Sequence, residues 1–213
     1  MSLLAMDKYR NFQELKRHER EGTDYVLCIR RGSSGIAVIA PHGGGIEPGT
    51  GDFADRVAGN EHTFYCFKGM KTSGNADLHI TSDKFDEPEG IRIAEKAELV
   101  LAIHGCIGNK DIIFVGGKDR DFKRILLNSI TQAGFEAKES DRSDLKGIKS
   151  ANICNRGHSG KGGQIEISES LREKMFDNLS HGTEKKKNTV FDNVVAALRK
   201  ALEKYIEHTK GGL

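Results

Sequence analysis

Tryptophan is absent from this chain, aromatic residues make up 7% and apolar residues 37%, a lean but still globular composition. Neither sign of charge dominates: 33 Lys and Arg face 31 Asp and Glu, so net charge argues for neither a nucleic acid nor a membrane partner, and any basic patch must be local. No run reaches the roughly 18 apolar residues that a membrane-spanning helix needs. The opening MSLLAMDKYR is too short and too soon charged for a signal peptide, so synthesis in the cytoplasm without an export signal is expected. Met6 is a candidate natural start, with Met1–Leu3 a cloning remnant. The four cysteines (Cys28, Cys66, Cys106, Cys154) form no C-x-x-C pair; Cys28, Cys66 and Cys106 lie within or beside apolar runs and read as buried free thiols, which fits a reducing compartment. Repeats, low-complexity segments and composition shifts are also missing. At 213 residues the expectation is one domain over 1–213, large enough to need no staples.

What is present is an interleaving of strand and helix patterns. Strands are expected at 25–30, 36–41, 63–67, 77–81, 97–105, 111–117 and 162–168. The runs at 36–41 and 99–103 are apolar throughout, as in strands buried on both faces. Helices are expected within 8–21 (Phe12, Leu15), from a Thr50 cap through Ala58, over 88–97 with Pro88 in the first turn, over 119–133, and over 189–207. The stretch EKKKN at 184–188 reads as a solvated loop. Together these predict an α/β sandwich with helices on both faces of a mostly buried sheet.

Chemistry-bearing residues collect at strand ends, where open α/β sheets build their sites. His42 follows the apolar run 36–41 and is spaced H-x4-E from Glu47 across three glycines. His104 directly follows the apolar run 99–103. Glu166 lies in GGQIEIS, on the face opposite Ile165 and Ile167. Two imidazoles and a carboxylate could hold Zn²⁺ with a position left open for water. The alternatives are a hydrogen-bonded loop histidine at 42, a surface carboxylate at 47 and a core histidine at 104. Two other readings of HGGG are disfavoured. No Walker A or Rossmann pattern accompanies it, and the G-x-S-x-G elbow of a lipase-type oxyanion loop is missing.

Four blocks in order, APHGGGIEPGT, LHITSDKFDEP, AIHGC and NICNRGHSGKGGQIEIS, resemble the poly-γ-glutamate hydrolases of phages and prophages over about Phe12 to Leu171. The resemblance implies a three-layer α/β/α sandwich with a mixed central sheet, similar to zinc carboxypeptidases, and one Zn²⁺ per chain. It implies His42, Glu47 and His104 as metal ligands and Glu166 as general base. It also points to Arg156, Asn155 and His79 as substrate contacts, with Lys68 and Lys71 as candidates for a groove. H-x4-E replaces the H-x-x-E of ordinary carboxypeptidases, and the third ligand comes much earlier in the chain.

The implied activity is zinc-dependent endo-hydrolysis of γ-glutamyl amide bonds in polyanionic poly-γ-glutamate by a monomer, released by lysis to act on capsule outside the cell. A zinc amidase acting on a small acylated amino acid or a cell-wall peptide is the alternative enzyme. A metal-stabilised polyanion-binding module is the non-enzymatic one.

Overall fold

The computed structural model describes residues 7–177, 179 and 186–211. Met1–Leu3, Met6 and residues 184–185 of the lysine-rich stretch lie outside them.

Seven strands form one mixed sheet: β1 (Tyr25–Arg30), β2 (Ile36–Gly44), β3 (Thr63–Gly69), β4 (Leu99–Cys106), β5 (Ile112–Gly117), β6 (Glu136–Glu139) and β7 (Gly163–Ser168). Their spatial order is β1-β3-β2-β4-β7-β5-β6. The centre, β3-β2-β4-β7, is parallel, while β1 and β5 run antiparallel to their inner neighbours. The helices are α1 (Phe12–Leu15), α2 (Thr50–Ala58), α3 (Pro88–Lys96), α4 (Arg120–Gln132), α5 (Glu169–Met175) and α6 (Thr189–Lys210). None of the described helices is long and apolar enough to cross a membrane.

Strand alternation divides the core in two. Leu99, Leu101, Ile103, Ile165 and Ile167 face one side, packed with residues of α2, α4, α5 and α6. Val100 and Ala102 face the other, with Phe12 and Leu15 of α1, Ile93 of α3 and the loop residues Leu78 and Ile80. This is the three-layer α/β/α sandwich that the sequence implies.

The chain leaves β2 through α2 to reach β3 on one side, then returns through α3 to β4 on the other. Strand order therefore reverses between β2 and β4. The carboxyl ends of strands at such a reversal flank a crevice, where open sheets place their ligands.

The structure corrects four expectations. Residues 77–81 are not a strand: Asn75–Leu78 form a single 3₁₀ turn, followed by extended backbone. Their alternation arises because Leu78 and Ile80 plug the core from a loop while the half-buried His79 between them turns away from it. Thr50 does not cap α2; Gly49 does, at φ 93°, while the Thr50 hydroxyl donates to the Glu47 carbonyl at 2.8 Å. The β6 segment EAKE was missed because it is a largely exposed edge strand with no apolar alternation. Helix α5 was missed because SLREK shows too little apolar periodicity. Pro88 opens α3 as expected, with the Glu87 side chain accepting from the Glu89 and Gly90 amides.

Candidate metal centre

Strict alternation along β2 would put His42 on the same face as Val38 and Ala40. A register shift between Ala40 and Gly43 against β3 prevents this. Such a bulge re-aims the following side chain, and His42 turns to the opposite face, which it shares with Ile80 and His104. Gly43 permits the bulge, because a Cβ there would run into the Cys66 sulfur. The chain then curls back: the Glu47 amide donates to the His42 carbonyl at 2.9 Å. Three glycines and this turn answer why an imidazole and a carboxylate sit so close in sequence: both must reach one point.

That point is well defined. His42 Nδ1 lies 3.0 Å from Glu47 Oε1 and 3.2 Å from His104 Nδ1, and His104 Nδ1 is 3.8 Å from Glu47 Oε2. The second carboxylate oxygen also accepts the Gly105 amide at 2.8 Å. His42 Nε2 contacts the Ile80 carbonyl at 2.8 Å. A carbonyl can only accept, so Nε2 carries the proton and the lone pair of neutral His42 sits on Nδ1. Two imidazole nitrogens and a carboxylate therefore aim electron density into one small space. Burial alone would raise the Glu47 carboxyl, but the facing His42 and His104 outweigh it and hold the group well below the usual carboxylate range. Nitrogen and oxygen donors converging in this way fit a zinc ion.

Glu166 stands beside this cluster. It is in register with His104 across the β4–β7 pairing, so both side chains project from the same face of neighbouring strands. Gln164 Nε2 donates to Glu166 Oε1 at 3.0 Å, which fixes the carboxyl. Burial pushes its proton affinity well above the ordinary value, and the Glu47 charge adds to that; Arg142 and Arg172 oppose it.

The other residues expected to touch substrate fare differently. His79 is brought to the centre: its ring lies over that of His42, 4.1 Å between centroids, with Nε2 3.9 Å from Glu47 Oε1. Asn155 is buried and its amide is fully committed. It accepts from the Lys118 and Gly162 amides and donates to the Gly147 and Lys149 carbonyls, leaving nothing for a substrate. Arg156 binds the Ala151 carbonyl, and the adjoining His158 amide bonds Ala97, ahead of β4 rather than at its His104 end. No hydrogen bond or ion pair among the described residues joins Arg156 to His42, Glu47, His104 or Glu166. Lys71 is paired with Glu19 at 3.0 Å. Lys68 is exposed on β3.

Arg172 was not foreseen, since SLREK reads as an ordinary charged surface. It is buried, and its guanidinium donates to the carbonyls of Ile167 (3.1 Å), Pro48 (2.8 Å) and Cys106 (3.4 Å). Ile167 and Pro48 directly follow Glu166 and Glu47, and Cys106 lies two residues after His104, so one side chain ties together the elements that bear them. Arg172 also lines a cleft with Glu47, Ile46, Pro48, Gly105 and Ile107.

Comparison with known proteins shows the family and the fold. The family model described as poly-gamma-glutamate hydrolase matches residues 9–197. The SPbeta prophage-derived protein YoqZ of Bacillus subtilis (strain 168) is 37% identical over 207 residues, spanning 96% of this chain and 75% of its own. A solved bacteriophage poly-gamma-glutamate hydrolase superposes with a TM-score of 0.89 at 29% identity, covering 93% of this chain and 98% of that one. The zinc-free apo structure of YndL gives 0.88 at 34% identity, with coverage of 93% and 98%.

Proposed function

This chain belongs to the poly-gamma-glutamate hydrolase family, and from that premise we propose that it is a zinc-dependent endo-hydrolase of the γ-glutamyl amide bonds in poly-γ-glutamate. The observation that carries the reading is the convergence of His42 Nδ1, His104 Nδ1 and the Glu47 carboxylate beside a buried second carboxyl, Glu166. That a relative's structure is distinguished as zinc-free supports zinc as the metal.

Zinc held by His42, Glu47 and His104 would supply a Lewis acid, acidifying a water molecule and polarising the amide carbonyl. The chain's own groups handle the protons. Glu166 accepts a proton from the attacking water as its oxygen bonds to the amide carbon. It then returns the proton to the amide nitrogen as the C–N bond breaks. The raised proton affinity of Glu166 favours holding that proton between the two events. Gln164 keeps the carboxyl aimed. Every residue of the polymer carries a free carboxylate, and Arg172, whose charge reaches Glu166, supplies positive potential for such a substrate, whereas Arg142 is paired with Asp144 at 2.6 Å. The prophage origin of YoqZ supports an enzyme freed by lysis to act on capsule outside the cell.

The test is to incubate zinc-loaded protein with long poly-γ-glutamate and follow polymer size. Average size should collapse before free glutamate accumulates, and a chelator should stop the reaction. Polymer retained at full length would mark a binding module instead. Glutamate released from the first turnovers would mark an exo-acting enzyme.

A further inference from the structure

We propose that His79 is a fourth protein donor to the zinc, positioned for that task by Asp7. The inference rests on the zinc reading above and goes beyond its three ligands.

Measured to Glu47, the distances do not separate His79 from His104. Donors at about 2.0–2.1 Å from a tetrahedral zinc lie roughly 3.3–3.4 Å from each other. The His42–Glu47 and His42–His104 pairs, at 3.0 and 3.2 Å, fall just inside that value. His104–Glu47 at 3.8 Å and His79–Glu47 at 3.9 Å fall just outside it, by nearly the same amount. His42, Glu47 and His79 each offer a donor atom within 4.8 Å of the others.

The far nitrogens argue the same way. A metal-binding histidine gives its other ring nitrogen to an oxygen, which fixes the tautomer and aims the ring. All three histidines here have such a partner: His42 Nε2 on the Ile80 carbonyl, His104 Nε2 on the Ser82 hydroxyl at 3.2 Å, and His79 Nδ1 on the Asp7 carboxylate at 2.7 Å. The carboxylate is the strongest of these acceptors. It is itself held rigidly, since its second oxygen takes the Thr81 amide at 2.8 Å and the Thr81 hydroxyl at 2.7 Å. A carboxylate acceptor puts the proton on His79 Nδ1 and leaves the Nε2 lone pair facing Glu47. The four consecutive residues 79–82 thus supply one imidazole and the supports for all three.

His79 differs from the other two histidines in exposure: 37% of its side chain is accessible against 3% for His104. As a fourth donor His79 would fill the tetrahedral position that water needs, so it is a ligand of the resting centre only, and from the surface it can leave the zinc to water without opening the core.

The experiment uses the full chain, stripped of metal and titrated with zinc against a chromophoric chelator, alongside visible spectra of the cobalt(II) form. His79→Ala should weaken zinc binding by about 10–100-fold and change the cobalt spectrum. Asp7→Asn, which leaves the imidazole in place, should weaken binding by about tenfold or more. Wild-type affinity within twofold in both variants, with unchanged cobalt spectra, would overturn the proposal; so would a His79→Ala effect confined to KM, which would leave His79 as a substrate contact. If the wild-type chain takes up no stoichiometric zinc, the zinc reading falls and this inference with it.

Discussion

His104 and Glu166 occupy paired positions on β4 and β7, one at the metal-binding cluster and the other poised beside it. Their adjacency divides the labour of the site between two strands, and the division can be measured. His42→Ala and His104→Ala should lose zinc and activity together, each retaining less than about a tenth of wild-type metal, because each removes one of three converging donors. Metal analysis of the purified variants checks this; full zinc occupancy in His104→Ala would remove His104 from the ligand set.

Glu166→Gln should behave in the opposite way. It keeps shape and one hydrogen bond but cannot accept a proton. Zinc content and polymer binding should stay near wild type while turnover falls by at least about a hundredfold, within the usual range for general-base help. Loss of zinc in this variant would make Glu166 a ligand instead.

The same substitution should stabilise the metal-free protein. Burial raises the Glu166 carboxyl above its ordinary value of 4.5. The unfolded chain ionises it first, so the native state loses stability as pH climbs past that value and still bears the penalty at neutral pH. Glutamine has no such penalty. Thermal unfolding at pH 7 should therefore shift upward, by roughly 2–4 °C for every kcal/mol relieved, and the gain should vanish near pH 4. An unchanged or lower melting point at pH 7 would contradict the assigned burial.

Gly105→Ala tests the role of Arg172. A methyl group there would stand 2.7 Å from the guanidinium carbon. The Arg172 side chain must move, releasing carbonyls beside Glu47 and His104. A cost of about 1–3 kcal/mol is expected from overpacking, with weaker zinc affinity. Unaltered chemical denaturation and metal binding would show that Arg172 is not the clamp.

The thiols should be dispensable. Burial raises Cys66 and Cys154 strongly and pushes Cys106 up to about 12. Reactive thiolate is therefore scarce at neutral pH, and only the half-buried Cys28 offers a small alkylating agent ready access. Alkylated protein that remains folded and zinc-loaded should keep its turnover; loss of activity would implicate a sulfur.

The sequence pointed to His42 and His104 because each follows an apolar run, to Glu166 because its strand alternates, and to Glu47 by its spacing from His42. It could not show the bulge that turns His42 across the sheet, since a bulge is one extra residue within an otherwise regular apolar run. Arg172 was hidden because burial of an arginine depends on which chain ends surround it, and those come from residues 48, 106 and 167. Arg156 and Asn155 stood out because they fall in a block that carries the resemblance and an arginine can hold a carboxylate; in the fold their side chains bond carbonyls of the loop 147–151. Segment 77–81 alternated like a strand because a loop that drops every second side chain into a core has the same period.

The two histidines that face each other are 62 residues apart in the chain. An unfolded polypeptide cannot hold them at one point without paying the closure entropy of that long loop. Zinc held at that point would therefore discriminate strongly between the folded and unfolded chain. At a hundredfold excess over its dissociation constant, a ligand confined to the native state adds about 2.7 kcal/mol. The ion that serves the reaction would then also act as a tie between the β2 loop and β4, making resistance to unfolding depend on zinc supply as directly as turnover does.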